Sequence, residues 1–143
     1  YNLHIMVRFE IERALVNGEL EVHDVPEVWR TAMQRLLNVT PQTHRDGALQ
    51  DVHWSLGQRG YFPTYTLGNV YCAQLMELAQ AEIGGFEEEL AAEGTTSRLL
   101  GWLDENVYRH GRSLTGRELV ERVTGKAVST EPLLRYLGGK FAS

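Results

Sequence analysis

Apolar residues return along most of the chain at three- and four-residue intervals, the spacing that gathers them on one side of a helix. Between Tyr1 and Asn17, Leu3, Met6, Phe9 and Ala14 follow this rhythm, and Asn17-Gly18 is a stop signal. Ile5, Val7, Ile11 and Leu15 make the same segment apolar on a second side, as expected of a helix buried in a larger body. Its charges are spaced to pair along the helix, Arg8 with Glu12 and Glu10 with Arg13. His4, one turn before Arg8, shares its face and reads as a hydrogen-bonded core histidine, with a cleft-facing role as the alternative.

Asp24 is placed to cap a second helix carrying Val28, Trp29, Met33, Leu36 and Leu37, with Pro26 in its first turn and Asn38 at its end. Residues 39–46 read as a loop, and Leu49, Val52 and Leu56 are spaced for a short helix. The longest helix runs from Pro63 to about Ile83, with Leu67, Val70, Tyr71, Leu75 and Leu78 as its stripe and Gly84-Gly85 as its stop. Gly68 inside it suggests close backbone packing. A short acidic helix follows from Phe86 to Ala92, with Glu87, Glu88 and Glu89 as a solvated face. Thr95 or Thr96 caps the next, reaching His110-Gly111. Thr115 and Glu118 form a capping box that opens a helix ending at Gly125, and Thr130 caps a last one stopping at Gly138-Gly139. No segment alternates with a period of two. The pattern predicts an all-α chain of about six to seven helices.

Composition narrows the function classes. A hydrophobic fraction of 43% with 23% charged residues is globular, not disordered. A formal net charge of −5 leaves no basic stripe to neutralise phosphates, which argues against nucleic acid as a partner. No apolar run approaches the roughly 20 residues that span a bilayer, so no membrane partner is expected. A single cysteine, Cys72, allows no internal disulfide, fits a reducing cytoplasm and reads as a small buried hydrophobe.

One stretch stands apart. Gln50, Asp51, His53, Trp54, Gln58, Arg59, Tyr61 and Tyr65 hydrogen-bond, titrate or stack, and Gly57, Gly60 and Pro63 break the helix around them. Such a concentration ahead of a strong helix is the profile of a functional loop on a rigid support. On the residues alone, His53 and Asp51 are equally able to satisfy each other in a buried turn, and Tyr61 to staple the start of a helix. For Trp54, packing is the first reading. The histidines at positions 4, 23, 44, 53 and 110 include no pair spaced by three or four on a helix. No pattern supplies the three protein ligands of a catalytic zinc, and no nucleophile elbow is present.

Gly47-Ala-Leu-Gln50-Asp51-Val-His53-Trp54, read as Gly-x-x-Gln-Asp-x-His-Trp, and the following Gly60-Tyr61-Phe62-Pro63-Thr64-Tyr65 resemble the C-terminal signature of the thermostable (Taq-type) zinc metallocarboxypeptidases. The opening segment from Tyr1 to Glu12 is similar to the part of that family upstream of the signature, so the resemblance covers most of the chain. It implies the C-terminal part of a larger, helical, cleft-containing enzyme. That family's His-Glu-x-x-His zinc helix, further glutamate ligand and Ile-Arg-x-x-Ala-Asp motif would lie before Tyr1. The implied activity is release of C-terminal residues from peptides, with zinc or cobalt in the complete enzyme and no metal bound by this segment, which alone would be inactive. The implied partners are the peptide substrate, the N-terminal part of the same enzyme and a second copy in a homodimer.

Under that resemblance His53 is the first candidate for stabilising the oxyanion of the tetrahedral intermediate, Tyr61 the second and Tyr65 the third. Tyr65 also stands as a substrate contact. Arg59 is the local candidate for gripping the substrate's free carboxylate, unless the arginine of Ile-Arg-x-x-Ala-Asp does so. Gln50 and Asp51 would orient His53, a role that sequence does not separate from a structural one. The competing class is a non-catalytic helical interaction module.

Overall fold

The computed structural model describes residues 1–141, which hold eight α-helices, three short 3-10 turns and no strand. The helices are α1 (Asn2–Val16), α2 (Val25–Leu37), α3 (Val52–Ser55), α4 (Thr64–Glu82), α5 (Phe86–Glu93), α6 (Ser97–Asn106), α7 (Gly116–Thr124) and α8 (Glu131–Phe141). The all-α expectation holds, with eight helices against six to seven, and the short helix expected around Leu49, Val52 and Leu56 is the single turn α3. The chain divides into two compact units, one ending at Leu67 and one from Gly68 onward.

In the first unit α1 packs on α2. Val7, Ile11, Val25 and Trp29 form its core, with Leu15, Leu20, Met33, Leu36 and Trp54 around them. The buried side of α1 is therefore the second of the two apolar sides: Ile5, Val7, Arg8, Ile11 and Glu12 are inside, whereas Leu3, Met6 and Phe9 are 42–47% exposed. Neither intrahelical ion pair forms. Arg8 pairs with Asp51, and exposed Glu10 with Arg35 at 3.4 Å, because both side chains find cationic or anionic partners across the fold. Asn38 closes α2 in the left-handed conformation at φ 54°, as its sequence position suggested. Asp24 sits at the head of α2 without a capping hydrogen bond; its carboxylate lies 3.3 Å from His23 Nε2 instead.

In the second unit Ala79, Phe86 and Trp102 make the core, and Trp102 Nε1 donates to Glu82 at 2.7 Å. Gln74, buried on α4, is its polar hub: Nε2 donates to Thr124 Oγ1 at 3.2 Å and to the Ala127 carbonyl at 3.1 Å, while Oε1 accepts the Ser129 amide at 3.0 Å. A buried amide with three partners carries little of the desolvation cost of an unpaired one. The capping box is present: Thr115 Oγ1 accepts the Glu118 amide, and Glu118 accepts the Thr115 amide at 2.8 Å.

Four expectations fail here. Cys72 is exposed rather than buried, since α4 turns Val70, Gln74 and Ala79 inward. A Cβ on Gly68 would meet no described atom, so no close packing explains that glycine. The sixth helix ends at Asn106, and a 3-10 turn over Tyr108–His110 takes the place of its last turn. The last helix runs through Gly138 and Gly139 to Phe141, because glycine permits the left-handed stop that Gly125 adopts but does not impose it.

Candidate functional site

The signature stretch folds as a 3-10 turn over Ala48–Gln50, then α3, then a turn into α4. Asp51 starts α3: it is extended, and its Oδ1 accepts the Trp54 amide at 2.7 Å, an N-cap written into the sequence by Asp three residues before Trp. Gly57 and Gly60, at φ 70° and 71°, then reverse the chain where a side chain would be strained. Thr64 closes the turn, its hydroxyl donating to the Tyr61 carbonyl at 2.6 Å.

This path brings three of the expected residues together. The His53 ring stacks on Tyr61, centroids 5.3 Å apart and planes 20° from parallel, and meets Tyr65 edge-on at 5.9 Å. Tyr61 and Tyr65 are 5.7 Å apart. Beneath them buried Phe62 touches His53 at 5.0 Å, Tyr65 at 5.3 Å and His4 at 5.2 Å. Tyr61 and Tyr65 remain 47% and 38% exposed, while His53 is half-buried. The Tyr65 phenol is held above its ordinary pKa by desolvation and then by its hydrogen bond with Tyr61, so it stays a protonated donor through neutral pH. His4 is hydrogen-bonded as expected but half-buried rather than in the core: Nδ1 lies 2.9 Å from the Tyr1 carbonyl, and partial burial, opposed by that bond, lowers its pKa.

Neither Gln50 nor Asp51 makes the hydrogen bond to His53 expected of an orienting partner. Gln50 Nε2 donates to the Arg45 carbonyl at 2.5 Å, and both Asp51 oxygens are engaged, one by Trp54 and one by Arg8. His53 Nδ1 is buried with no hydrogen-bond partner among the described residues. The alternative in which His53 and Asp51 satisfy each other is excluded by the same geometry. Arg59 is exposed between the two glycines and makes no ion pair with a described residue.

Residues that the sequence reading assigned to helix pairing underlie the site. Arg8 and Asp51 form an ion pair at 7% and 2% exposure, and the Arg8 guanidinium lies 4.1 Å from the Phe62 ring centroid and 5.0 Å from that of Trp29. Glu12, 8% exposed, accepts the Trp54 indole N–H at 3.2 Å and the Gly60 amide. The signal was legible: Arg8 and Glu12 fall on the face of Ile5 and Ile11, where an unpaired charge would cost several kcal/mol. No three His, Cys, Asp or Glu side chains among the described residues come together as a metal site, and Asp51 is committed to Arg8.

This helical arrangement is that of metallocarboxypeptidases. Metallocarboxypeptidase 1 of Trypanosoma cruzi superposes with a TM-score of 0.92 at 39% identity, over 100% of this chain and 30% of that one. The M32 carboxypeptidase of Deinococcus radiodurans R1 gives 0.90 at 48% identity, over 98% of this chain and 28% of that one. The chain belongs to the carboxypeptidase Taq (M32) metallopeptidase family, which it matches over residues 1–141. It is 48% identical to thermostable carboxypeptidase 1 of Thermus thermophilus over all 143 residues, and 38% identical to carboxypeptidase 1 of Bacillus subtilis. It spans 28% of the length of each of these relatives. No described helix is long and apolar enough to cross a membrane.

Proposed function

We propose that this chain contributes the substrate-facing donors of a metal-dependent carboxypeptidase acting on the C-terminal residues of peptides. The observation that carries the reading is the partly exposed cluster of one imidazole and two phenols, His53, Tyr61 and Tyr65, with ring centroids 5.3–5.9 Å apart. As water adds to the scissile carbonyl, its oxygen gains negative charge, and N–H and O–H donors fixed beforehand stabilise that charge without reorganising. His53 and Tyr61 serve this role. Tyr65 contacts the peptide, and Arg59 pairs with its terminal carboxylate. In this reading the metal ion, zinc or cobalt, is held by residues of the complete enzyme outside this chain. A homodimer in a reducing cytoplasm is the setting we propose for the complete enzyme.

The test is steady-state kinetics on the complete, metal-loaded enzyme. His53→Ala and Tyr61→Phe each lower kcat, on the order of 10²–10³ for loss of an oxyanion donor, with metal content unchanged and KM moving less. Arg59→Ala raises KM and weakens preference for a free C-terminus. A folded, metal-loaded His53→Ala enzyme with near-normal kcat refutes the assignment.

A further inference from the structure

Resting on that reading of His53 and Tyr61, we propose that Arg8 and Glu12 are positioning residues, a two-point clamp by which α1 sets the mutual geometry of the two donors. The two side chains lie one helical turn apart on the buried face of α1, a spacing of about 6 Å that a helix holds rigidly. Each grips one end of the segment that carries the donors. Arg8 binds Asp51, whose other oxygen caps α3 two residues before His53. Glu12 binds the Gly60 amide, immediately before Tyr61. Trp54 ties the two together, its amide bound to Asp51 at 2.7 Å and its indole N–H to Glu12 at 3.2 Å.

The clamp fits the problem the loop poses. Gly57 and Gly60 leave the path between His53 and Tyr61 weakly restrained by its own backbone. The stacking of His53 on Tyr61 nevertheless requires both ends to be held. All four oxygens of Asp51 and Glu12 are engaged, three by donors of the 51–60 segment or by its side chains and one by Arg8. Packing alone would be served by apolar residues at positions 8 and 12, often at no loss of stability. Charges at these sites instead specify which backbone groups of the loop dock against α1, and where.

The experiment is kinetics on the complete, metal-loaded enzyme, with circular dichroism and metal content measured on every variant. Glu12→Ala lowers kcat by about 10–10²-fold, the scale of a misplacement of roughly 1 Å at a reacting group, and changes KM less. Glu12→Gln, which keeps the shape and one accepting oxygen, falls between Glu12→Ala and the parent. It is the deciding variant if Glu12→Ala does not fold. Because the clamp acts through the donors, Glu12→Ala costs little further kcat in a His53→Ala, Tyr61→Phe background. Parental kcat in folded Glu12 variants overturns the clamp, as does an undiminished loss in the doubly substituted background. Parental kcat in His53→Ala overturns the reading of the donors beneath it, so the two failures are distinguishable.

Discussion

Asp51→Ala removes the anion from the buried network and leaves the Arg8 guanidinium, 7% exposed, without its partner. Breaking a buried pair from one side costs about 3–5 kcal/mol. Loss of the Asp51 cap on α3 adds roughly 0.5–2 kcal/mol. The Phe62 and Trp29 rings, 4.1 and 5.0 Å from the guanidinium, face the cation in parent and variant alike, so these contacts, about 0.5–2 kcal/mol each, cancel in the difference. The net expectation is a loss of about 3.5–7 kcal/mol. Arg8→Met combined with Asp51→Ala removes both charges: the cap, roughly 0.5–2 kcal/mol, and the two cation–π contacts, about 0.5–2 kcal/mol each, are lost, offset by about 1–4 kcal/mol of relieved charge burial, for a net cost of about 1 kcal/mol. The double variant is thus more stable than Asp51→Ala alone. Urea unfolding followed by tryptophan emission measures this in a Trp102→Phe background, where Trp29 and Trp54 report on the first unit; m-values stay constant if the unfolding remains two-state. A single-variant cost below about 1 kcal/mol, outside the range for a broken buried pair, refutes the reasoning. So does a double variant whose cost equals the sum of the two singles.

Three further outcomes are expected in the second unit. A Cβ on Gly116 would lie 2.9 Å from Tyr71 Cε2, so Gly116→Ala destabilises by about 1–2 kcal/mol, overpacking exceeding the gain in helix propensity. Gly101→Ala, inside α6 where the added carbon meets nothing, stabilises by roughly 0.5–1 kcal/mol, and thermal melts of the two variants shift in opposite directions. At α7 the Thr115 amide, then its hydroxyl, hold the Glu118 carboxyl below its ordinary pKa. A folded carboxyl so lowered contributes stability in full above the ordinary value and loses it as pH falls through the lowered one. Thr115→Ala therefore moves the Glu118 midpoint upward in a carbon-detected NMR titration; an unchanged midpoint contradicts the capping-box account.

Local signals settled much of this protein before any tertiary contact was known. The capping box of Thr115 and Glu118, the αL stop at Asn38 and the glycines after α4 and α7 act over four or five residues, so their outcome is written in adjacent side chains. The concentration of His53, Tyr61 and Tyr65 was likewise visible in the order of residues, as was the resemblance to the family to which the chain belongs. What the linear pattern left open was which of two apolar sides α1 buries within this unit. Leu3, Met6 and Phe9 are exposed, whereas the side holding Arg8 and Glu12 is inside. A charge is buried only where a partner comes to meet it, and those partners, Asp51 and the Trp54–Gly60 turn, lie about forty residues along the chain. Helical spacing therefore offered Glu12 to Arg8 as the near partner, and only the packing of the signature loop on α1 exchanged that local pair for two long-range ones.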